Sequence, residues 1–137
     1  MKRKKRLFLV LFACVLLFFS VGCASDGGSA DIPATYEQIS GAEAKALMDS
    51  ESGYIIIDAR EQYEYDEEHI PGAILIPYGE IADRAEQELP DKDQLILVYC
   101  RSGRRSKLAA KELVKLGYTN VKEFGGIIDW EYETVKP

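Results

Sequence analysis

Short apolar runs alternate with amphipathic segments along most of the chain. Five runs have the length and composition of strands, and most are apolar throughout, which is typical of strands buried on both faces of a parallel sheet. The predicted strands are Thr35 to Ile39, Tyr54 to Ile57, Ile74 to Ile76, Leu95 to Tyr99 and Val121 to Phe124. Helices are predicted from Ser40 to Ser50, within Glu61 to Glu68, from Ile81 to Leu89, from Ser102 to Leu116 and from Ile127 to Thr134. This order predicts an α/β domain with a small, mainly parallel five-stranded sheet flanked by helices.

Two sequence signals mark helix ends. Ser40 and Glu43 have the spacing of a capping box, in which each side chain accepts a hydrogen bond from the other residue's backbone N–H. Gly117 follows the last apolar position of the long helix, where glycine adopts the left-handed conformation that ends a helix.

The first 22 residues follow a different pattern. Lys2 to Arg6 are five consecutive cations, and Leu7 to Phe19 are thirteen consecutive apolar residues. These are the n-region and h-region of a secretory signal. The apolar run is shorter than the roughly 20 residues that a membrane-spanning helix needs. Residues 1–22 are therefore predicted to be a signal peptide.

The segment from Ser20 to Cys23 resembles the lipobox of bacterial lipoproteins, in which the cysteine becomes the diacylated N-terminal residue. The family prefers Leu where Ser20 stands. This resemblance predicts a lipidated Cys23, a flexible spacer over 23–34 and a globular domain over 35–137. An uncleaved anchor is the alternative. On either interpretation the domain is tethered to a membrane and faces outside the cytoplasm, at the extracellular face or in the periplasm.

The charge of the mature part limits its partners. Removal of residues 1–22 leaves 12 Lys and Arg against 23 Asp and Glu, a net charge of −11. Such an acidic domain is not expected to bind nucleic acid or anionic lipid headgroups, because like charges repel each other. Cys14 leaves with the signal and Cys23 would be a thioether, so Cys100 is the one thiol predicted for the domain. No internal disulfide is expected.

Cys100 follows the most apolar predicted strand and begins a loop with three arginines. A thiol beside cations and a helix N-terminus loses its proton more easily than a free cysteine. Backbone N–H groups of such a loop can converge on an anion. The leading interpretation is a nucleophilic, ionised sulfur that is open to solvent and faces an anion cradle. The alternative is a buried, inert cysteine.

A second polar segment, Asp58-Ala59-Arg60, follows another predicted strand. The carboxyl ends of parallel strands share one edge of a sheet, so we expect this segment near the Cys100 loop. Asp58 is interpreted as a turn-capping side chain and Arg60 as the partner of Asp58 or Glu64 in a structural ion pair. His69 is expected to make a structural hydrogen bond rather than to act as a base. The acidic residues from Glu61 to Glu68 are expected to form an exposed surface and no metal site.

Four motifs in this order resemble a single rhodanese (sulfurtransferase) domain. They are Asp58-Ala59-Arg60-Glu61 for D-x-R-E, Glu68-His69-Ile70-Pro71-Gly72-Ala73 for G-H-I-P-G-A, Cys100-Arg101-Ser102-Gly103-Arg104-Arg105 for C-R-x-G-x-[R/T], and Gly125-Gly126 with Trp130 for G-G-x-x-x-W. Glu68 stands where the family has Gly. The resemblance spans about Tyr36 to Tyr132 and implies a three-layer rhodanese-like fold.

The resemblance also implies a sulfurtransferase whose Cys100 carries a sulfane sulfur as a persulfide. Arg101, Ser102, Gly103, Arg104 and Arg105 would bind an anionic donor such as thiosulfate, and Asp58 and Arg60 would support the rim. The acceptor would be a thiol or cyanide-like group, with no metal or organic cofactor. Arg104 lies outside the specified motif and is expected to be exposed and to tune the charge preference for the donor.

Two other functions stay open at this point. Cysteine-dependent phosphatases and arsenate reductases use a C-x₅-R loop, but the sixth residue after Cys100 is Ser106, and Arg105 comes one place early. A non-catalytic module that binds a persulfidated or redox partner is the other alternative. Degenerate rhodanese-like domains of that kind often lack the cysteine, which is present here.

Overall fold

A computed structural model describes residues 35–137 of the chain. The predicted signal peptide, Cys23 and the spacer up to residue 34 lie outside the described residues.

The described residues form one five-stranded sheet in which all neighbouring strands are parallel. The strands are β1 (Glu37–Gln38), β2 (Ile55–Asp58), β3 (Ala73–Leu75), β4 (Ile96–Cys100) and β5 (Val121–Gly126). Their order across the sheet is β1-β5-β4-β2-β3. Every residue of the central strand β4 is buried, as its unbroken apolar sequence predicts. The predicted α/β fold with a mainly parallel sheet is confirmed.

Four helices connect the strands: α1 (Gly41–Ser50), α2 (Gln62–Glu67), α3 (Ile81–Glu88) and α4 (Arg104–Lys115). The predicted capping box begins α1, because the Ser40 hydroxyl accepts from the Glu43 N–H and the Glu43 carboxylate accepts from the Ser40 N–H. Gly117 follows α4 with a φ of +90°, and its N–H donates to the Val114 carbonyl oxygen. Both predicted helix ends are confirmed.

The predicted helix from Ile127 to Thr134 is wrong. Only a 3₁₀ turn, Ile127–Asp129, forms, and the following residues have no regular secondary structure up to the bridge at Val135. Trp130 packs its ring against Phe124 at 5.6 Å, and Val135 and His69 exchange two backbone hydrogen bonds. Tertiary packing of the aromatic ring and backbone pairing therefore override the weak local helix preference.

The helices cover both faces of the sheet, which confirms the three-layer arrangement. On one face, Ile57 and Val98 pack against α3 and α4. On the other, Leu97 and Phe124 pack against α1 and the C-terminal segment, which we define as residues 127–137. None of the helices within residues 35–137 has the length and apolar character to span a bilayer. Because the strands are parallel, the ends of β2, β4 and β5 lie at one edge of the sheet.

Candidate active site

Cys100 is the last residue of β4, at the edge where the strands end. Its sulfur accepts a hydrogen bond of 3.1 Å from the Gly103 N–H. The residue is only 1% exposed, so the expectation of a sulfur open to solvent is wrong. The following loop folds back over the strand end and places its own amide groups around the sulfur. The protein, rather than water, solvates the sulfur.

The environment of Cys100 favours the thiolate despite its burial. Burial raises the pKa of the thiol. The Ser106 side chain and the backbone N–H groups of Ser106, Ser102 and Gly103 outweigh this effect, so the pKa lies below that of an ordinary thiol. The prediction of a lowered pKa is confirmed, with loop hydrogen bonds as its main favourable cause.

Two glycines allow the loop to adopt this shape. Gly103 precedes α4 with a φ of +96°, a conformation that costs other residues free energy. Gly126 ends β5 directly beneath the loop, where an added Cβ atom would come within 2.0 Å of the Arg101 carbonyl oxygen. The end of β5 therefore fixes the position of the residue that follows Cys100.

Arg105 pairs with a carboxylate instead of pointing freely toward a donor. Its Nη1 and Nη2 atoms donate to the two oxygens of Glu64 at 2.6 and 2.8 Å. The hydrogen bond from Arg105 lowers the pKa of Glu64 and outweighs its partial burial. Glu64 is buried, so the expectation that all acidic residues from Glu61 to Glu68 form an exposed surface is wrong. The pair joins α2 to the start of α4.

Asp58 and Arg60 form the predicted structural ion pair, with 2.6 Å between Arg60 Nη2 and Asp58 Oδ2. Tyr99 donates its hydroxyl proton to the same carboxylate at 2.7 Å, and Arg60 Nη2 also donates to the Glu68 carbonyl oxygen at 2.6 Å. These bonds tie the end of β2 to the chain beyond α2. They do not reach the sulfur of Cys100.

His69 makes the predicted structural hydrogen bond. Its Nδ1 donates to the Tyr65 carbonyl oxygen at 2.9 Å, and the two rings stack at 3.7 Å. Three other predicted site residues, Arg101, Ser102 and Arg104, are exposed on the loop. The expected exposure of Arg104 is therefore confirmed.

Glu123 is a buried carboxylate beside the loop that the motifs do not indicate. It is 2% exposed, accepts from the Ser106 hydroxyl at 2.6 Å and accepts from the Gly125 N–H at 2.8 Å. It thereby links β5 to the first turn of α4. A sequence signal for its burial does exist. Side chains alternate between the two faces of a strand, so Glu123 lies on the same face as the apolar Val121.

A cavity of about 290 Å³ lies beside the loop. Its lining includes Arg101, the residue that follows Cys100, and acidic residues from the end of α2. The complete lining consists of Arg60, Glu64, Glu67, Glu68, Arg101, Ile127, Ile128, Trp130, Tyr132 and Thr134. We call it the loop cavity.

The comparison with protein families agrees with this geometry. The rhodanese-like domain model matches residues 40–133. The chain belongs to the rhodanese-like family. The thiosulfate sulfurtransferase PspE of Escherichia coli is 41% identical over 80 residues, covering 58% of this chain and 77% of PspE. The thiosulfate sulfurtransferase GlpE of Coxiella burnetii is 35% identical over 97 residues, covering 70% of this chain and 88% of GlpE.

Solved structures of this family have the same fold. A rhodanese with anions from E. coli aligns with a TM-score of 0.58 at 39% identity, covering 61% of this chain and 99% of its own. The Alr3790 protein from Anabaena aligns with a TM-score of 0.66 at 27% identity, covering 72% and 91%. The resemblance to the rhodanese-like family is confirmed, and the chain is a rhodanese-type sulfurtransferase.

Proposed function

We propose that this rhodanese-like domain transfers a sulfane sulfur from an anionic donor of the thiosulfate type, through a persulfide on Cys100, to a thiophilic acceptor. The observation that carries the proposal is the hydrogen-bonded sulfur at the base of the loop, with a pKa below that of an ordinary thiol. A thiolate attacks divalent sulfur readily, and division into two transfers makes the reaction ping-pong.

In the first transfer the Cys100 thiolate attacks the outer sulfur of thiosulfate. A bond forms between the two sulfurs, the S–S bond of thiosulfate breaks, and its electron pair leaves with sulfite. The Ser102 and Gly103 N–H groups that lower the thiol pKa also stabilise the persulfide anion. The exposed Arg101 and Arg104 attract the donor, whereas Arg105, paired with Glu64, positions the loop.

In the second transfer a thiol or cyanide attacks the outer persulfide sulfur, and Cys100 returns to the thiolate. Neither step needs an external oxidant, metal or organic cofactor. PspE and GlpE are both named thiosulfate sulfurtransferases. Because this chain belongs to the same family, we propose a donor of the same type for it.

Membrane attachment is the second part of the proposal. The n-region, h-region and lipobox-like segment support a lipidated Cys23 that tethers the domain outside the cytoplasm. The spacer over 23–34 would then hold the domain near the outer leaflet.

Intact-mass analysis tests the reaction. The full chain, purified in a non-ionic detergent and treated with thiosulfate, is expected to gain the mass of one sulfur atom, and Cys100→Ser is expected to gain none. Addition of cyanide should remove the extra sulfur as thiocyanate. Absence of the adduct would instead favour a non-catalytic module that binds a persulfidated partner.

A further inference from the structure

The charged residues of the loop cavity divide into paired and unpaired groups. Arg60 is neutralised by Asp58 and Glu64 by Arg105, each with a shortest N–O distance of 2.6 Å. Glu67, Glu68 and Arg101 remain, and within residues 35–137 none of these three forms an ion pair. Glu68 does accept a hydrogen bond from the Thr134 hydroxyl. The cavity thus holds two uncompensated carboxylates and one uncompensated guanidinium.

The C-terminal segment gives the loop cavity an apolar wall. Ile128 is 61% exposed and Tyr132 is 40% exposed, and the Tyr132 ring packs edge-on against Trp130 at 4.9 Å. Apolar side chains held in the open beside a reactive loop can contact the carbon atoms of a ligand. The volume of about 290 Å³ is near the lower end of the range of about 300–1,000 Å³ for small-molecule sites. A small ligand with a short carbon skeleton fits these properties.

We infer that the loop cavity binds the sulfur acceptor, and that this acceptor is a zwitterionic aminothiol, a small molecule with a thiol, an ammonium and a carboxylate group. The ammonium binds Glu67 and Glu68, the carboxylate binds Arg101, and the carbon skeleton contacts Ile128 and Tyr132. This inference rests on the proposed persulfide function. The uncompensated charges sum to −1, so the cavity favours a ligand that carries a cationic group. Because donor and acceptor bind in turn, Arg101 attracts the donor in the first transfer and binds the carboxylate of the acceptor in the second.

The transfer step balances without another reactant. The aminothiol, ionised by loss of its proton to water, attacks the outer sulfur of the Cys100 persulfide. A new S–S bond forms on the acceptor, the bond between Cys100 Sγ and the outer sulfur breaks, and its electron pair returns to Cys100 as thiolate. The product is the persulfide of the aminothiol.

Ratios of acceptor rates test the inference. The full chain is loaded with thiosulfate and freed of excess donor. Its persulfide is then discharged with cysteamine, 3-mercaptopropionate, cysteine or 2-mercaptoethanol, which carry an ammonium, a carboxylate, both or neither. The rate at which the added mass is lost, measured at several acceptor concentrations, gives kcat/KM for each acceptor. Each kcat/KM is divided by the value for 2-mercaptoethanol in the same variant. This division cancels any general loss of activity.

Glu67→Gln is expected to lower the cysteamine ratio by up to about fivefold, which is the upper end of the range for one exposed charge pair. Arg101→Gln should lower the 3-mercaptopropionate ratio to a similar extent, and both variants should lower the cysteine ratio. Asp83→Asn is the matched control, because it removes one exposed carboxylate from α3, which packs on the opposite face of the sheet. Its ratios should equal those of the wild type.

The outcomes separate the two proposals. Unchanged ratios in Glu67→Gln or in Arg101→Gln, in a protein that still forms the persulfide, overturn the assignment of the loop cavity and leave the sulfurtransferase proposal standing. Ratios that change equally in Asp83→Asn overturn it as well, because they reflect net charge alone. Failure of the wild type to form the persulfide overturns both proposals.

Discussion

At the scale of single residues, the reactivity of Cys100 depends on groups that a linear motif does not contain. The C-R-x-G-x-[R/T] pattern indicates cations beside the sulfur, yet the leading favourable contributions come from Ser106 and from backbone N–H groups. Ser106 is in turn held by the buried Glu123. The motif therefore locates the nucleophile, but the first turn of α4 and the end of β5 set its ionisation.

The pH dependence of Cys100 alkylation should reveal this arrangement. The folded protein lowers the pKa of the Cys100 thiol. The thiolate should therefore become the main form at a pH below about 8.5, which is the pKa of a free cysteine. Ser106→Ala removes the hydroxyl but keeps the backbone N–H, so the inflection should move to higher pH. Peptide mapping of iodoacetamide-treated full chain separates Cys100 from the other cysteines. An unchanged inflection would show that the hydroxyl contributes nothing to ionisation.

The Glu64–Arg105 pair should stabilise the fold in a pH-dependent way. Its formation lowers the pKa of Glu64 below the unfolded value of about 4.3. The stabilisation is therefore present at neutral pH and is lost as the pH falls from about 4.3 through the lower folded value. We expect Glu64→Gln to lower the free energy of unfolding by about 1–3 kcal/mol at neutral pH and by less near pH 3. Urea unfolding at both pH values measures the difference.

The exposed pair of Arg84 and Glu88 provides the comparison, with a distance of 2.7 Å. Glu88→Gln should cost less than about 1 kcal/mol, because solvent screens the pair. Equal losses in Glu64→Gln and Glu88→Gln would contradict a special contribution from the buried carboxylate.

At the scale of elements, the junction of β5 with the Cys100 loop is the most constrained part of the site. The Cys100 position pairs with Gly126 across the sheet, next to an irregularity in the register of β4 and β5. The Ile128 N–H donates to the Arg101 carbonyl oxygen at 3.3 Å. The G-G-x-x-x-W motif thus acts on the active-site loop by backbone packing.

A methyl group at Gly126 should therefore disrupt the loop. Its Cβ would lie 2.0 Å from a backbone oxygen, which cannot move without the loop. Gly126→Ala is expected to slow persulfide formation by at least tenfold and to lower the free energy of unfolding by about 1–3 kcal/mol. Stopped-flow detection of sulfite release and urea unfolding measure the two effects. Gly79→Ala is the control, because no atom lies within 4 Å of the added group. Retention of wild-type rates in Gly126→Ala would refute the packing argument.

Elements whose ends are set locally could be predicted from the sequence, and those set by distant contacts could not. The Ser40–Glu43 box and Gly117 act within a few residues, so they mark α1 and α4 correctly. The segment after Gly126 has no such signal, and its path depends on where Trp130 meets Phe124. The burial of Cys100 depends likewise on the return of the loop over β4. The sequence therefore predicts that Cys100 ends a strand, whereas the exposure of its sulfur depends on tertiary packing.

At the scale of the whole molecule, the charges of the N-terminal segment and of the remaining chain have opposite sign. The cations of residues 1–22 precede the apolar run, and the part beyond them carries a net charge of −11. A domain with this charge is repelled by anionic headgroups, so the proposed attachment would come from the N-terminal segment rather than from the domain surface. One acyl anchor gives only weak, reversible binding, whereas a diacylated cysteine supplies two chains at one residue.

The proposed anchor predicts a defined N-terminus. Wild-type chain expressed in a bacterium should lose residues 1–22 and carry a diacylated Cys23, and mass spectrometry of the N-terminal peptide detects both changes. Cys23→Ser removes the acceptor of the lipid and should retain Met1 or an unlipidated N-terminus. Cys14→Ser is the matched control and should be processed like the wild type, because its thiol lies within the apolar run that is removed. Recovery of Met1 with an unmodified Cys23 in the wild type would contradict lipidation and would favour the alternative of an uncleaved anchor.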